Sequence, residues 1–205
     1  MQLDDVAPSI APLPAPGLFE RLVLESPFAL ALSLALIGLG GLVALNARGR
    51  LRTGLVVLGA AWALGGAAVL ASVLVETPRE RLIRRTRELV AALARVDTDA
   101  MRALIHEDAS VEVERLSRFS GRDSIIDAAS RYLGSTYRLE SHATPEVQAV
   151  IDGPNAARTQ ARVRHTGEGI PPASWWRISW YRPSEREPWV AVEIEPLWIA
   201  WVGNF

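Results

Sequence analysis

Two stretches lack the mixture of polar and apolar positions found in the rest of the chain. Pro27–Asn46 reads PFALALSLALIGLGGLVALN and Thr53–Val75 reads TGLVVLGAAWALGGAAVLASVLV, neither with an ionisable side chain. A helix rises about 1.5 Å per residue, so each run can cross a hydrocarbon core of about 30 Å. Core helices of soluble proteins ordinarily keep one polar stripe, and these runs show none. The pattern predicts a transmembrane hairpin, with helices at about 27–46 and 53–75. Gly38 and Gly41 share one side of the first helix, and Ala61 and Gly65 form a small face on the second. Small faces let backbones approach closely in lipid, either inside the hairpin or against another copy. The absence of charge within either run argues against an ion or proton path.

Beyond Val75 the period becomes that of surface helices. Thr77-Pro78-Arg79-Glu80 has capping-box spacing with proline at the first helical position. Leu82, Ile83, Thr86, Leu89, Val90, Leu93 and Val96 then form one stripe, with arginines on the other side. Asp97-Thr98-Asp99 caps a short helix with Ala100, Met101, Leu104 and Ile105 inward, and Glu107–Val111 turns into a brief strand. Ser120-Gly121-Arg122-Asp123 reads as another cap, before a helix carrying Ile125, Ile126, Ala129, Tyr132 and Leu133. After Gly134 the period drops to two, in runs at 157–165, 175–181 and 189–195 separated by Gly/Pro turn signals. Helices first and strands afterwards predict an α+β domain over 77–205, its antiparallel sheet having one apolar and one mixed face.

Composition narrows the chemistry. A net charge of −1 and a pI near 6.3 give no electrostatic case for nucleic acid. Without cysteine there are no disulfides, thiolate ligands or cysteine nucleophile. His106, His142 and His165 stand too far apart for a zinc motif, and no cofactor is implied. Residues 1–26, with Asp4, Asp5, Pro8, Pro12, Pro14 and Pro16, are too acidic at the start for a secretory signal. They read as a disordered, proline-stiffened tail. Arg48, Arg50 and Arg52 in the link, against Arg21 alone before the first helix, place the link in the cytoplasm of a bacterial membrane and the domain outside. The arginines after Val75 pull the other way, but they alternate with Glu76, Glu80 and Glu88.

The runs Arg87–Leu93, Asp97–Leu104 and Glu107–Glu112, then Phe119–Ile126, Trp176–Trp180 and Trp189–Val192, resemble nuclear transport factor 2-like domains, the SnoaL-like and ketosteroid-isomerase group. The resemblance implies a cone: a curved sheet wrapped around helices, enclosing a pocket, often dimeric through the sheet. Isomerases of the group need a carboxylate base where this chain has Val113, and an oxyanion tyrosine where it has Leu89. Their second oxyanion acid would fall near Trp175 or Trp176. A proton-abstraction site needs both base and donor, so the resemblance implies no isomerase site here.

What remains in the cone is a candidate ligand pocket of Tyr132, His165, Trp176 and Trp180, with tryptophan rings suited to stacking. Asp123, Asp127 and Arg131, four apart in turn, suit either a water-activating group or a solvated ion-pair ladder. Arg158, Arg162, Arg164, Arg177, Glu193 and Glu195 line the mixed sheet face, as cross-strand ion pairs or a partner surface. The expectation is a membrane-anchored binding module, for a small apolar ligand or a protein. The alternatives are a membrane-tethered isomerase or hydrolase and a structural subunit of a larger complex. The test set by the sequence is whether Asp123 and Asp127 are exposed and whether His165 pairs with a carboxylate.

Overall fold

A computed structural model describes residues 10–14, 27–74, 76–113, 117–136 and 138–200. They group into two compact units, divided after Pro14 and after Thr77.

The first unit is a helix pair, α1 (Pro27–Asn46) and α2 (Leu51–Leu74), turned by a short link at Gly49. The helices pack through their small residues. A Cβ added at Gly38 would lie 2.8 Å from Ala61 Cβ, and one at Gly65 3.3 Å from Ala31 Cα. The small faces read from the sequence are thus used within the pair. The outward side carries Phe28, Leu32, Ile37, Val56 and Trp62, all exposed. Both helices are long and apolar enough to cross a membrane, with only 6% and 11% of their apolar windows buried.

The second unit joins residues 10–14 to the chain from Pro78 onwards, where α3 (Pro78–Arg95) and α4 (Thr98–Leu104) come first. Asp97 caps α4 as expected, its Oδ1 accepting from the Ala100 N–H at 3.0 Å. The turn between the helices puts Val96 at φ +55°, a left-handed conformation that costs a β-branched residue about 1–2 kcal/mol. The Asp97 N–H bonding back to the Ala92 carbonyl at 2.9 Å helps to hold it there. After β1 (Ile105–Val113) and β2 (Ser117–Ser120) comes α5 (Arg122–Arg131), which ends in a π-helical turn at Tyr132–Thr136. The cap read at Ser120-Gly121 has no side-chain bond. Gly121 instead starts α5 at φ +85°, which favours glycine, with its N–H on the Ala109 carbonyl. Four strands complete the chain: β3 (Arg138–Ile151), β4 (Ala156–Glu168), β5 (Ala173–Tyr181) and β6 (Val190–Ile199).

The six strands form one sheet in the order β2-β1-β6-β5-β4-β3. The expectation of an antiparallel sheet needs one correction: β1 runs parallel to β6, so the sheet is mixed. Hairpins suffice for β3 to β6, but β1 reaches its neighbour only after the rest of the domain has been laid down, and such a long connection permits a parallel pair. Bulges in β3 and between β5 and β6 bend the sheet towards α3 and α5. α3 lies against β3 and β4, and α5 against β1 and β2.

Leu82, Leu89, Met101, Ile178, Trp180 and Ile194 fill the core between helices and sheet. Thr86 belongs in the apolar stripe of α3 because its hydroxyl is satisfied there. Thr86 Oγ1 donates to the Leu82 carbonyl at 2.8 Å and lies 3.0 Å from Thr159 Oγ1, which accepts from Trp180 Nε1 at 2.8 Å.

Candidate functional site

A cavity of about 530 Å³ opens between the helices and the concave sheet face. α3 contributes Leu89, Val90, Leu93 and Ala94, at the helical period that the apolar stripe demands. α5 and its π-helical extension contribute Ile125, Ala128, Ala129, Tyr132 and Leu133. The sheet supplies Val111, Phe119, Val163, Trp176, Ile178 and Ile194, and the β4–β5 loop adds Ile170 and Pro171. Among the described residues, no arginine, aspartate or glutamate lines the space; its polar side chains are Tyr132, His142, His165 and Ser174, with the indole N–H of Trp176.

His165, Ser174 and Trp176 meet at the β4–β5 end. Trp176 Nε1 donates to Ser174 Oγ at 2.8 Å, and His165 Nε2 lies 3.2 Å from the same oxygen. An indole N–H can only donate, so the serine oxygen accepts there, while the His165–Ser174 bond takes its direction from the histidine tautomer. His165 Nδ1 is buried and has no hydrogen-bond partner among the described residues. His142 stands directly opposite His165 in the β3–β4 register. Burial first, and the neighbouring His142 second, hold His165 below the ordinary histidine value. The site therefore presents a neutral imidazole at pH 7.

Three of the four expected pocket residues, Tyr132, His165 and Trp176, line the cavity together. Trp180 does not: it is 1% exposed, and its indole N–H is taken by Thr159 within the core. One strand supplies both tryptophans at a spacing of four, but Trp176 faces the void while Trp180 faces packed α3. His142 and Ser174 escaped the sequence reading. The first lies on a strand that was not foreseen, and the second became visible only through its register beside His165.

Asp123 and Asp127 are exposed on α5, and Asp123 approaches Arg102 of α4 at 3.9 Å. The hydrogen bond drawn to the His165 side chain is to a hydroxyl, not a carboxylate. Of the positions that isomerases use, Leu89 is a buried apolar wall residue, and the Val113 side chain lies outside the described residues. Trp176 is in the wall, whereas Trp175 pairs on the opposite sheet face with Trp198.

The charged residues of the sheet are engaged locally. Arg158 grips Asp152 through two bonds of 2.8 and 2.6 Å, which lowers the Asp152 carboxyl below its usual value. Arg177 pairs with Glu195 at 3.5 Å, and Glu193 accepts from Ser179 at 3.3 Å. Arg162 stands opposite Glu146, and Arg164 opposite Ala143.

Comparison with known proteins agrees with this architecture. The profile of the SnoaL-like domain matches residues 86–185. An NTF2-like protein from Cytophaga hutchinsonii superposes with a TM-score of 0.50 at 13% identity, over 59% of this chain and 98% of that one. A hexachlorocyclohexane dehydrochlorinase, LinA-type3, from Novosphingobium barchaimii gives 0.49 at 12% identity, over 60% and 90%. A protein described as a putative aromatic ring hydroxylase, from Novosphingobium aromaticivorans, gives 0.48 at 15%, over 63% and 94%. No curated protein matches the chain in sequence. At such identities the likeness speaks for fold alone. With the sheet order, the cavity and the profile match in agreement, the domain built from α3 to β6 has the nuclear transport factor 2-like fold and is similar to the SnoaL-like domain over residues 86–185.

Proposed function

We propose that the chain is a membrane-anchored binding module whose cavity takes a neutral, largely apolar small molecule. The observation that carries this reading is the cavity wall, with about 530 Å³ of space and no charged side chain around it among the described residues. That volume falls in the range of small-molecule sites, about 300–1,000 Å³. At about 30 Å³ per water-sized group it holds roughly 18 non-hydrogen atoms. A carboxylate or amine would enter without a counter-ion, at a desolvation cost that the apolar contacts do not offset. One hydroxyl or carbonyl is compatible with the His165–Ser174 end.

The anchor rests on the exposed apolar surface of α1 and α2, which lipid would cover. With the link arginines in the cytoplasm, the domain faces the outer side. The enzymatic alternative would use the His165–Ser174 pair. Yet Ser174 is 2% exposed and its oxygen already accepts the Trp176 N–H, which leaves a poor nucleophile. Binding accounts for the site better than reaction.

The test is a thermal shift on the full chain in lipid nanodiscs, with dodecan-1-ol against dodecanoate. A ligand of the folded state raises the melting temperature in proportion to ln(1 + [L]/Kd). The alcohol is expected to stabilise the wild type and not Ala129→Trp, whose indole fills the cavity; dodecanoate should stabilise neither at pH 7.5. Stabilisation by the carboxylate alone, or equally in both proteins, would overturn the reading.

A further inference from the structure

The outer face of the sheet, opposite the cavity, has an occupant from the chain itself. Strand alternation and register place Gln148, Gln160, Arg177 and Glu195 in one row across β3, β4, β5 and β6. Their neighbours Ala149, Ile178 and Ile194 point into the core, so this row faces outward. At its β3 end, Gln148 Oε1 accepts the backbone N–H of Leu13 at 3.2 Å. The other half of the same amide, Nε2, donates to Glu146 Oε1 at 2.9 Å. Both ends of the Gln148 side chain are engaged, and the carboxylate orients its oxygen towards the incoming peptide.

The segment Ile10-Ala11-Pro12-Leu13-Pro14 suits that contact. Ile10 and Leu13 are half-buried, whereas Ala11, Pro12 and Pro14 are exposed. A repeat of three is that of a polyproline II helix, which turns one side in three towards a surface. Pro12 and Pro14 restrict their own φ, and Leu13, preceding a proline, is biased to extended backbone. Such a segment has little conformational freedom left to lose on docking.

We propose that the outer face of β3 at Gln148 is a docking site for an extended, proline-containing segment, and that the chain fills it with its own Ile10–Pro14. This surface is separate from the cavity, and the inference does not depend on what the cavity holds. With the strap in place, that part of the sheet is covered, so a homodimer through the sheet must either displace the strap or use another area. Ile10–Pro14 and the domain after α2 also then share one side of the membrane, which agrees with two crossings between them.

The chain has no cysteine, so an introduced pair reports without background. Leu13→Cys with Gln148→Cys, in the full chain in nanodiscs under mild oxidation, is expected to give a disulfide within one chain. Because docking raises the local concentration of the thiols, the bond should form at least about tenfold faster than in a control pair of Leu13→Cys with Glu185→Cys. Rates equal to the control would overturn the docking site, and a bond formed only between two chains would overturn the assignment to the chain's own segment. Amide hydrogen exchange, which needs no cysteine, gives a second reading: the Leu13 N–H should exchange about tenfold faster in Gln148→Leu than in the wild type. Unchanged exchange in a folded Gln148→Leu protein would contradict the proposal.

Discussion

Two histidines facing each other across β3 and β4 set the electrostatics of the cavity. His165 is half-buried against an apolar wall, with Ser174 at one nitrogen and, among the described residues, no partner at the other. Its folded-state pKa lies below the unfolded value of about 6.5, because burial, and then His142, disfavour the charged ring. The unfolded chain therefore takes up a proton at this residue first as the pH falls. The stabilising contribution is complete above about pH 6.5 and is lost as the pH falls through the lower folded value. Denaturant titrations of the full chain from pH 8 to pH 5 should show declining stability over that window. His165→Gln, which cannot titrate, should flatten the decline. An identical slope in the variant would assign the effect to other groups. Trp176 and Trp180 show how far such residues could be read in advance: period two placed both on the apolar face, but only packing against α3 separated the cavity wall from the core.

At the scale of elements, small residues decide how the helix pair is built. Gly38 meets Ala61 too closely to admit a methyl group, while Gly59 has nothing within 4 Å of where its Cβ would be. The same substitution should thus act in opposite directions. Gly38→Ala forces the helices apart and should cost about 1–3 kcal/mol. Gly59→Ala replaces a poor helix former and should stabilise by up to about 1 kcal/mol. Unfolding of the full chain in mixed micelles by added sodium dodecyl sulfate measures both; shifts of one sign would contradict this packing. The helices were legible because their periods are long and their caps local: α1, α3 and α4 begin where the sequence placed them. The 14-residue strand β3 was not. It is an edge strand interrupted by Pro145 and bulges at Leu139/Ser141 and Ala143/Glu146, so its alternation is broken twice. His142 and Gln148 were hidden with it. The parallel pairing of β1 with β6 was illegible for another reason, since it joins residues from opposite ends of the domain.

For the whole molecule, we propose a helix pair seated in lipid that carries a domain hollowed for one neutral apolar guest. Occupancy of that hollow can be measured at equilibrium. N-phenyl-1-naphthylamine is neutral, fits the available volume and brightens in apolar surroundings. Titrated into nanodiscs holding the full chain, it should show, above its partitioning into empty nanodiscs, a saturable component of one molecule per chain. That component should be absent from Ala129→Trp melting at the wild-type temperature or above. A wild-type signal no different from that of empty nanodiscs, or a saturable signal that survives unchanged in Ala129→Trp, would contradict it.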